Sequence, residues 1–133
     1  MTPKWEPGQD EYLETMARLL EEKRGSSVTI LAKELGVAKA SVSQMLRRIA
    51  VAGLVSFPKY GEPVLTKKGI LMGVAILKKH RTLHGFLALI GLRKSKIHCE
   101  ACRLEHAVSD EVERRMSLFV ENVRKQSGFI TLR

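Results

Sequence analysis

The sequence predicts a mainly α chain, in which an N-terminal winged helix-turn-helix is followed by an all-helical second half. Three observations carry this. Apolar residues recur at helical spacing, behind polar capping residues, from Asp10 to about Lys125. Two of these helical segments meet at Gly36, within Val28 to Leu54. The texture turns β-like only after Leu54, where Val55-Ser56-Phe57 and Val64-Leu65 flank the turn-forming run Pro58-Lys59-Tyr60-Gly61-Glu62-Pro63.

From the start of the chain, Met1 to Gly8 is polar, carries two prolines and reads as an arm. A helix from Asp10 to about Lys23 follows, with Tyr12, Leu13, Met16, Leu19 and Leu20 as its apolar stripe. Glu11 and Glu14 stand one turn apart near its N-terminus, where carboxylates ordinarily serve the helix dipole. Gly25 to Ser27 ends this helix. Thr29 can cap a short helix through Leu35, Gly36 supplies the turn, and Ala40 or Ser41 opens a second helix that runs to about Ala52 before Gly53 stops it. Ile30, Leu31, Leu35 and Val37 then share a core with Val42, Met45, Leu46 and Ile49.

The outer face of that second helix carries Lys39, Ala40, Ser41, Ser43, Gln44, Arg47 and Arg48. Short polar and cationic side chains at the start of a recognition helix suit phosphates and base edges in a major groove; the plainer reading is a solvated helix face. The β-like pair completes a wing, with Lys59 and Tyr60 at its tip. From Lys39 to Lys68 six basic residues face one acid, a local balance of +5, where DNA would lie.

Thr66 can cap a long helix from about Lys67 to Leu89, whose apolar face comprises Leu71, Val74, Ala75, Leu77, Leu83 and Leu87. His80 and His84 fall at i and i+4 on it, a spacing at which two imidazoles can share a metal. A further helix from about Ser95 carries His98, Cys102, Glu105 and His106, and Ser109 caps a last one from Asp110 to about Lys125. The tail Gly128 to Arg133 reads equally as a strand or a loose end. Cys102, Glu105 and His106 stand at i, i+3 and i+4, so a thiolate, a carboxylate and an imidazole project from one face. That set fits a metal; the alternative is a buried cysteine beside a surface Glu-His pair.

Composition limits the function classes. With 133 residues and 44% hydrophobic content the chain can bury a real core. Its 23 basic against 14 acidic residues give a net charge of +9, which favours an anionic partner. Apolar runs stop well short of the roughly 20 residues a membrane span requires, and no apolar signal core opens the chain, so the expectation is a cytoplasmic protein with no membrane partner. Cys99 and Cys102 are too close in sequence to staple distant parts of a fold and point to metal or redox chemistry.

Asp10-Glu11-Tyr12-Leu13-Glu14-Thr15, Leu31-Ala32-Lys33-Glu34-Leu35-Gly36-Val37, Leu65-Thr66-Lys67-Lys68-Gly69, Lys79-His80-Arg81 and the run Glu100 to Val112 (Glu-Ala-Cys-Arg-Leu-Glu-His-Ala-Val-Ser-Asp-Glu-Val) resemble the diphtheria-toxin-repressor family of iron- and manganese-dependent transcriptional repressors. The resemblance spans nearly the whole chain. It implies a winged helix-turn-helix DNA-binding domain over residues 1–70, then an all-helical metal-binding and dimerisation domain over 71–133. The member it resembles is a short, manganese-regulator-like one without the C-terminal SH3-like domain.

By that resemblance Glu11, Cys102, Glu105 and His106 form the main metal site. Glu14, His80 and His98 match a neighbouring second site, with His84 standing where iron-type members have a glutamate. The wing departs from the family's Tyr-Arg-Gly pattern, having Tyr60-Gly61-Glu62. The implied cofactor is a divalent transition metal, Fe(II) or Mn(II). Manganese-type members have a carboxylate at the place of Cys102, a thiolate favours softer metals, and Co, Ni or Zn should substitute in vitro. The implied partners are a double-stranded DNA operator and a second copy of the chain, a homodimer, with no small-molecule substrate.

Three other classes bear on these residues. A metal-independent winged-helix repressor has no use for Glu11, Cys102, Glu105 and His106 together. A metallohydrolase needs a catalytic base, and no His-Glu-x-x-His motif or catalytic carboxylate pair occurs, so no enzyme is expected. A thiol-redox sensor would use Cys99 and Cys102 reversibly without metal.

Overall fold

The computed structural model describes residues 7–126. The expected arm up to Glu6 and the tail Gly128 to Arg133 lie outside the described residues. Six helices and a two-stranded hairpin follow in the order α1 (Gln9–Glu21), α2 (Val28–Leu35), α3 (Lys39–Val51), β1 (Val55–Ser56), β2 (Val64–Leu65), α4 (Lys67–Leu89), α5 (Lys94–Glu105) and α6 (Asp110–Gln126). The chain divides into two compact units between Leu77 and Lys78, so α4 gives its first half to one and its second half to the other. Among the described residues no helix is long and apolar enough to cross a membrane.

In the first unit α1, α2, α3 and the hairpin enclose one core. Tyr12, Leu13, Met16, Leu19, Leu31, Val42, Leu46 and Ile49 are all at most 2% exposed, and Ile30, Leu35, Val37 and Met45 pack against them. Leu20 departs from the expected stripe. It stands in the last turn of α1, on the rim of a cleft with Gly25, Ser26, Glu62 and Val64, and stays exposed. The cap of α2 is Ser27 rather than Thr29, because the Ser27 hydroxyl accepts the Ile30 N–H at 3.2 Å. Gly36 ends α2 in the left-handed region (φ 68°), and its N–H reaches the Ala32 carbonyl. This is the tight turn that lets α3 start at Lys39.

The hairpin is antiparallel, pairing Val55 with Leu65 and Ser56 with Val64. Phe57, expected to extend the first strand, lies just beyond it, half-buried against the core. Thr66 ties hairpin to helix as expected: its hydroxyl donates to the Gly53 carbonyl at 2.7 Å and accepts the Gly69 N–H at 3.1 Å.

The buried side of α4 matches the apolar face read from spacing at Leu77, Leu83 and Leu87 but not at its start. Leu71, Val74 and Ala75 are exposed, while Gly69, Gly73, Leu77, His80, Leu83 and Leu87 are buried. Two glycines and a histidine complete this stripe, and apolar periodicity counts none of them. The glycines are there for close approach: a Cβ on Gly73 would lie 2.6 Å from the Leu13 carbonyl oxygen, and one on Gly69 would overlap the Leu54 carbonyl.

The second unit packs α5 and α6 on the later half of α4 around Leu83, Leu87, Ile97 and Ala101, with Val108 and Met116 alongside. Thr82 of α4 donates to the Glu113 carboxylate of α6 at 2.8 Å, and Phe86 meets Phe119 at 6.0 Å between ring centroids. Ser109 caps α6 through the Val112 N–H at 3.2 Å.

Candidate metal centre and DNA-facing helix

The metal-ligating residues of the second unit are brought together by the packing just described. Helix α5 buries Ile97, Ala101, Cys102 and Glu105 along one side. Because Ile97 and Ala101 pack with Leu83 and Leu87 of α4, the same side of α5 presents Cys102 and Glu105 to His80, one turn before Leu83. His80 Nδ1 lies 3.0 Å from Glu105 Oε2 and 3.7 Å from Cys102 Sγ; His98 Nε2, one turn earlier on α5, is also 3.7 Å from that sulfur. Donor atoms of His80, His98 and Cys102 all lie within 4.8 Å of one another. Glu105 spans two neighbours, its Oε1 standing 3.9 Å from His106 Nε2.

These spacings fit one ion. A thiolate at about 2.3 Å and an imidazole at about 2.1 Å from a tetrahedral metal are separated by about 3.6 Å, against the 3.7 Å observed on both sides of Cys102. The environment is dry enough to matter: the Glu105 side chain is 1% exposed and that of His80 10%. His80 Nδ1 and Glu105 Oε2 are in hydrogen-bond contact at this depth, and that contact is what a metal would replace.

Lys79, which spacing did not single out, fixes this region. Its ammonium donates to the Val108 carbonyl at 3.0 Å and pairs with Asp110 at 2.9 Å, so α4 is pinned to the α5–α6 turn beside His80. The same contact holds the Asp110 carboxyl below its ordinary range. A lysine reads as surface charge until its partners are known.

His84 is set apart from the cluster. It is exposed, its ring centroid lies 6.2 Å from that of His80, and among the described residues it joins none of the donor groups close enough to share an ion. Partial desolvation and then the charge of His80 lower its pKa. His106 closes α5 as its C-cap rather than standing within the helix, but in right-handed helical geometry (φ −81°, ψ −17°), so its expected direction is kept.

In the first unit Glu11 serves the local role that its position suggests: its carboxylate accepts the Gly8 N–H at 2.8 Å, the half of a capping box that a glycine N-cap allows. Glu14 is buried on α1. On α3, Lys39, Ala40, Ser41, Gln44, Arg47 and Arg48 are exposed and Ser43 is half-buried. The helix begins at Ala38 without a side-chain cap and without an acid in its first turn, which leaves its first N–H groups and positive dipole end to an anion. At the wing Lys59 and Tyr60 are both exposed, the ammonium 5.4 Å from the ring centroid.

Residues 7–62 match the description of an iron dependent repressor N-terminal DNA binding domain, and residues 66–127 that of an iron dependent repressor metal binding and dimerisation domain. An uncharacterised HTH-type transcriptional regulator of Methanocaldococcus jannaschii is 36% identical over 117 residues, covering 86% of this chain and 94% of its own. The diphtheria toxin repressor of Corynebacterium glutamicum is 36% identical over 115 residues, covering 86% of this chain and 50% of its own. The chain thus spans about half the length of that repressor. Among solved structures, the manganese regulator SloR superposes with a TM-score of 0.76 at 30% identity, covering 88% of this chain and 55% of that one. A manganese-dependent transcriptional repressor in complex with manganese gives 0.74 at 32% identity, with 85% and 52% covered. With both family domains matched in order along one winged helix-turn-helix chain, the protein belongs to the iron-dependent, diphtheria-toxin-repressor family of metal-dependent transcriptional repressors and not to a family of enzymes.

Proposed function

We propose that this protein is a cytoplasmic, homodimeric repressor of metal-uptake genes that binds its operator when Fe(II) or Mn(II) is present. The observation that carries this is the cluster of His80, His98, Cys102 and Glu105 in a chain whose α3 displays exposed cations and short polar side chains. His80, His98, Cys102, Glu105 and His106 would hold metal from the second unit, with Glu11 and Glu14 of α1 completing the donor sets and His84 at the periphery. When bound, the metal supplies a positive charge and directed bonds that thiolate, imidazole and carboxylate donors can share.

The chain's own residues do the rest. Glu11 uses its carboxylate to cap α1, so recruiting Glu11 as a ligand exchanges the Gly8 N–H for a stronger partner and couples the start of α1 to metal occupancy. His80 and Glu105 exchange their mutual hydrogen bond for the metal. Lys39, Ala40, Ser41, Ser43, Gln44, Arg47 and Arg48 on α3, with Lys59 and Tyr60 at the wing, meet the operator. Dimerisation is supported by apolar side chains left exposed on α4 and α6, namely Leu71, Val74, Val112, Leu118 and Phe119.

The donor set bears on the metal. A thiolate with two imidazoles favours ferrous iron over manganese, and Co(II) should bind readily in vitro. A thiol-redox reading is weaker on geometry. Cys99 is exposed and Cys102 buried, and side chains three apart on a helix hold their Cβ atoms about 5–6 Å apart, beyond the roughly 3.5–4.5 Å a disulfide needs.

An anaerobic Co(II) titration followed by absorbance tests the site. A thiolate-to-cobalt charge-transfer band that saturates with binding, and that vanishes in Cys102→Ser, is the expected result. Saturable binding without that band would remove Cys102 from the ligand set.

A further inference from the structure

The unit that does not carry the helix-turn-helix is the more cationic of the two. Residues 78–133 contain twelve basic and six acidic residues, a balance of +6, against eleven and eight, +3, in residues 1–77. The excess is concentrated: from Pro63 to Cys99 there is no Asp or Glu, while Lys67, Lys68, Lys78, Lys79, Arg81, Arg93, Lys94 and Lys96 fall in that stretch. Lys79 is neutralised by Asp110. At the turn from α4 to α5, Arg93, Lys94 and Lys96 are all exposed, and none of them forms an ion pair among the described residues. Some other exposed cations of the chain are paired: Arg103 with Glu100 at 3.1 Å, Lys125 with Glu121 at 3.4 Å, Arg24 with Glu34 at 2.7 Å.

Three unpaired cations within four residues repel one another, and the carboxylate one turn on from Lys96, Glu100, is paired with Arg103 instead. An anionic partner would relieve them. We infer that the Arg93-Lys94-Lys96 corner of the second unit is a sequence-independent DNA-phosphate contact, additional to the α3 and wing contacts. The inference rests on the DNA-binding reading above. It adds that the metal-binding half contributes directly to DNA affinity as well as arranging the other half. DNA is favoured over a lipid surface because a single exposed large apolar residue, Ile90, stands in the turn beside the three cations, too little apolar surface to enter a bilayer.

Each phosphate neutralised adds about 0.9 to the slope of log affinity against log salt. The test measures that slope by anisotropy for the whole protein, saturated with Co(II), on a long operator duplex and on an unrelated duplex. R93Q/K94Q/K96Q should lower the slope by about 2–3 on both DNAs, leaving the metal midpoint and the melting temperature unchanged. R103Q/K125Q removes two paired cations and serves as the control for net charge; it should leave the slope within about 0.5 of wild type. Equal slopes for wild type and the triple variant would overturn the inference, as would equal losses in the triple variant and the control. Retention on phosphatidylserine vesicles that the triple variant loses, with its DNA slope intact, would assign the corner to membranes and overturn it too. Failure of the functional reading looks different: wild type would then show no metal dependence on the operator, while the unrelated duplex would still report on the corner.

Discussion

Replacing Cys102 by alanine should separate metal binding from folding. The side chain is 7% exposed and its sulfur is placed between the imidazoles of His80 and His98 at 3.7 Å from each. Losing one buried heavy atom costs about 1 kcal/mol, by analogy with removal of a methyl group from a core. The metal effect is larger. Deleting a group that merely supports a ligand weakens metal affinity about 10–100-fold, so losing the ligand itself should reach at least about 100-fold. With free metal at about 100 times the wild-type Kd, binding stabilises the native state by about 2.7 kcal/mol, and a 100-fold weaker site retains only about 0.4 kcal/mol. At about 3–5 °C per kcal/mol for a chain of this size, added metal should raise the wild-type melting temperature by about 10 °C and that of the variant by about 1–2 °C. The metal-free proteins should differ by only a few degrees. Anaerobic thermal unfolding followed by circular dichroism, with chelator and then with Co(II) or Mn(II), reads both quantities. An equal metal-induced increment in the two proteins would refute the reasoning, since Cys102 would then contribute nothing to the site.

Gly73→Ala forces a methyl group to within 2.6 Å of the Leu13 carbonyl oxygen and 3.1 Å of the Ala17 Cβ. The overpacking, about 1–3 kcal/mol, should outweigh the gain of up to about 1 kcal/mol in helix propensity, so a variant that melts above wild type would show that α1 and α4 do not approach so closely. Thr82→Val removes the hydroxyl that donates to Glu113, a carboxylate only 6% exposed, and should destabilise by about 1–3 kcal/mol, with Thr82→Ser close to wild type; chemical denaturation distinguishes them. Asp110 has its folded pKa held below the ordinary carboxyl value of 3.8 by Lys79. The stability it contributes is therefore present above that value and lost as pH falls through the lower folded one. Asp110→Asn should melt below wild type near neutral pH and converge with it in acid, and a gap that persists at low pH would contradict the assignment.

Much of this was legible in the residues themselves. Gly36 marked the turn, and the pattern Ile30, Leu31, Val42, Leu46, Ile49 drew the core that orients α3 outward. Thr66 and Ser109 announced the helices they cap. Two things were not legible. The buried side of α4 depends on Gly69 and Gly73, whose role is the closeness of another backbone, and on His80, whose burial is tolerated because Glu105 and Cys102 meet it. Helical spacing also put Cys102, Glu105 and His106 on one face of α5. His98, one turn before Cys102 on the same helix, was within the reach of spacing too, but spacing could not show that Cys102 and Glu105 would both meet His80, since that depends on how α5 packs against α4.

The central claim is that metal governs operator binding, and anisotropy of a labelled duplex from upstream of the protein's own operon or a neighbouring metal-transporter gene tests it most directly. The measurement is made anaerobically, first with chelator and then with Fe(II), Mn(II), Co(II) or Zn(II) added in turn. The account predicts tight, saturable binding only when metal is present, abolished by Cys102→Ala at the same metal concentration. Equally tight binding in chelator would contradict it, leaving the winged helix as a DNA-binding unit and the His80–Cys102 cluster without a regulatory role.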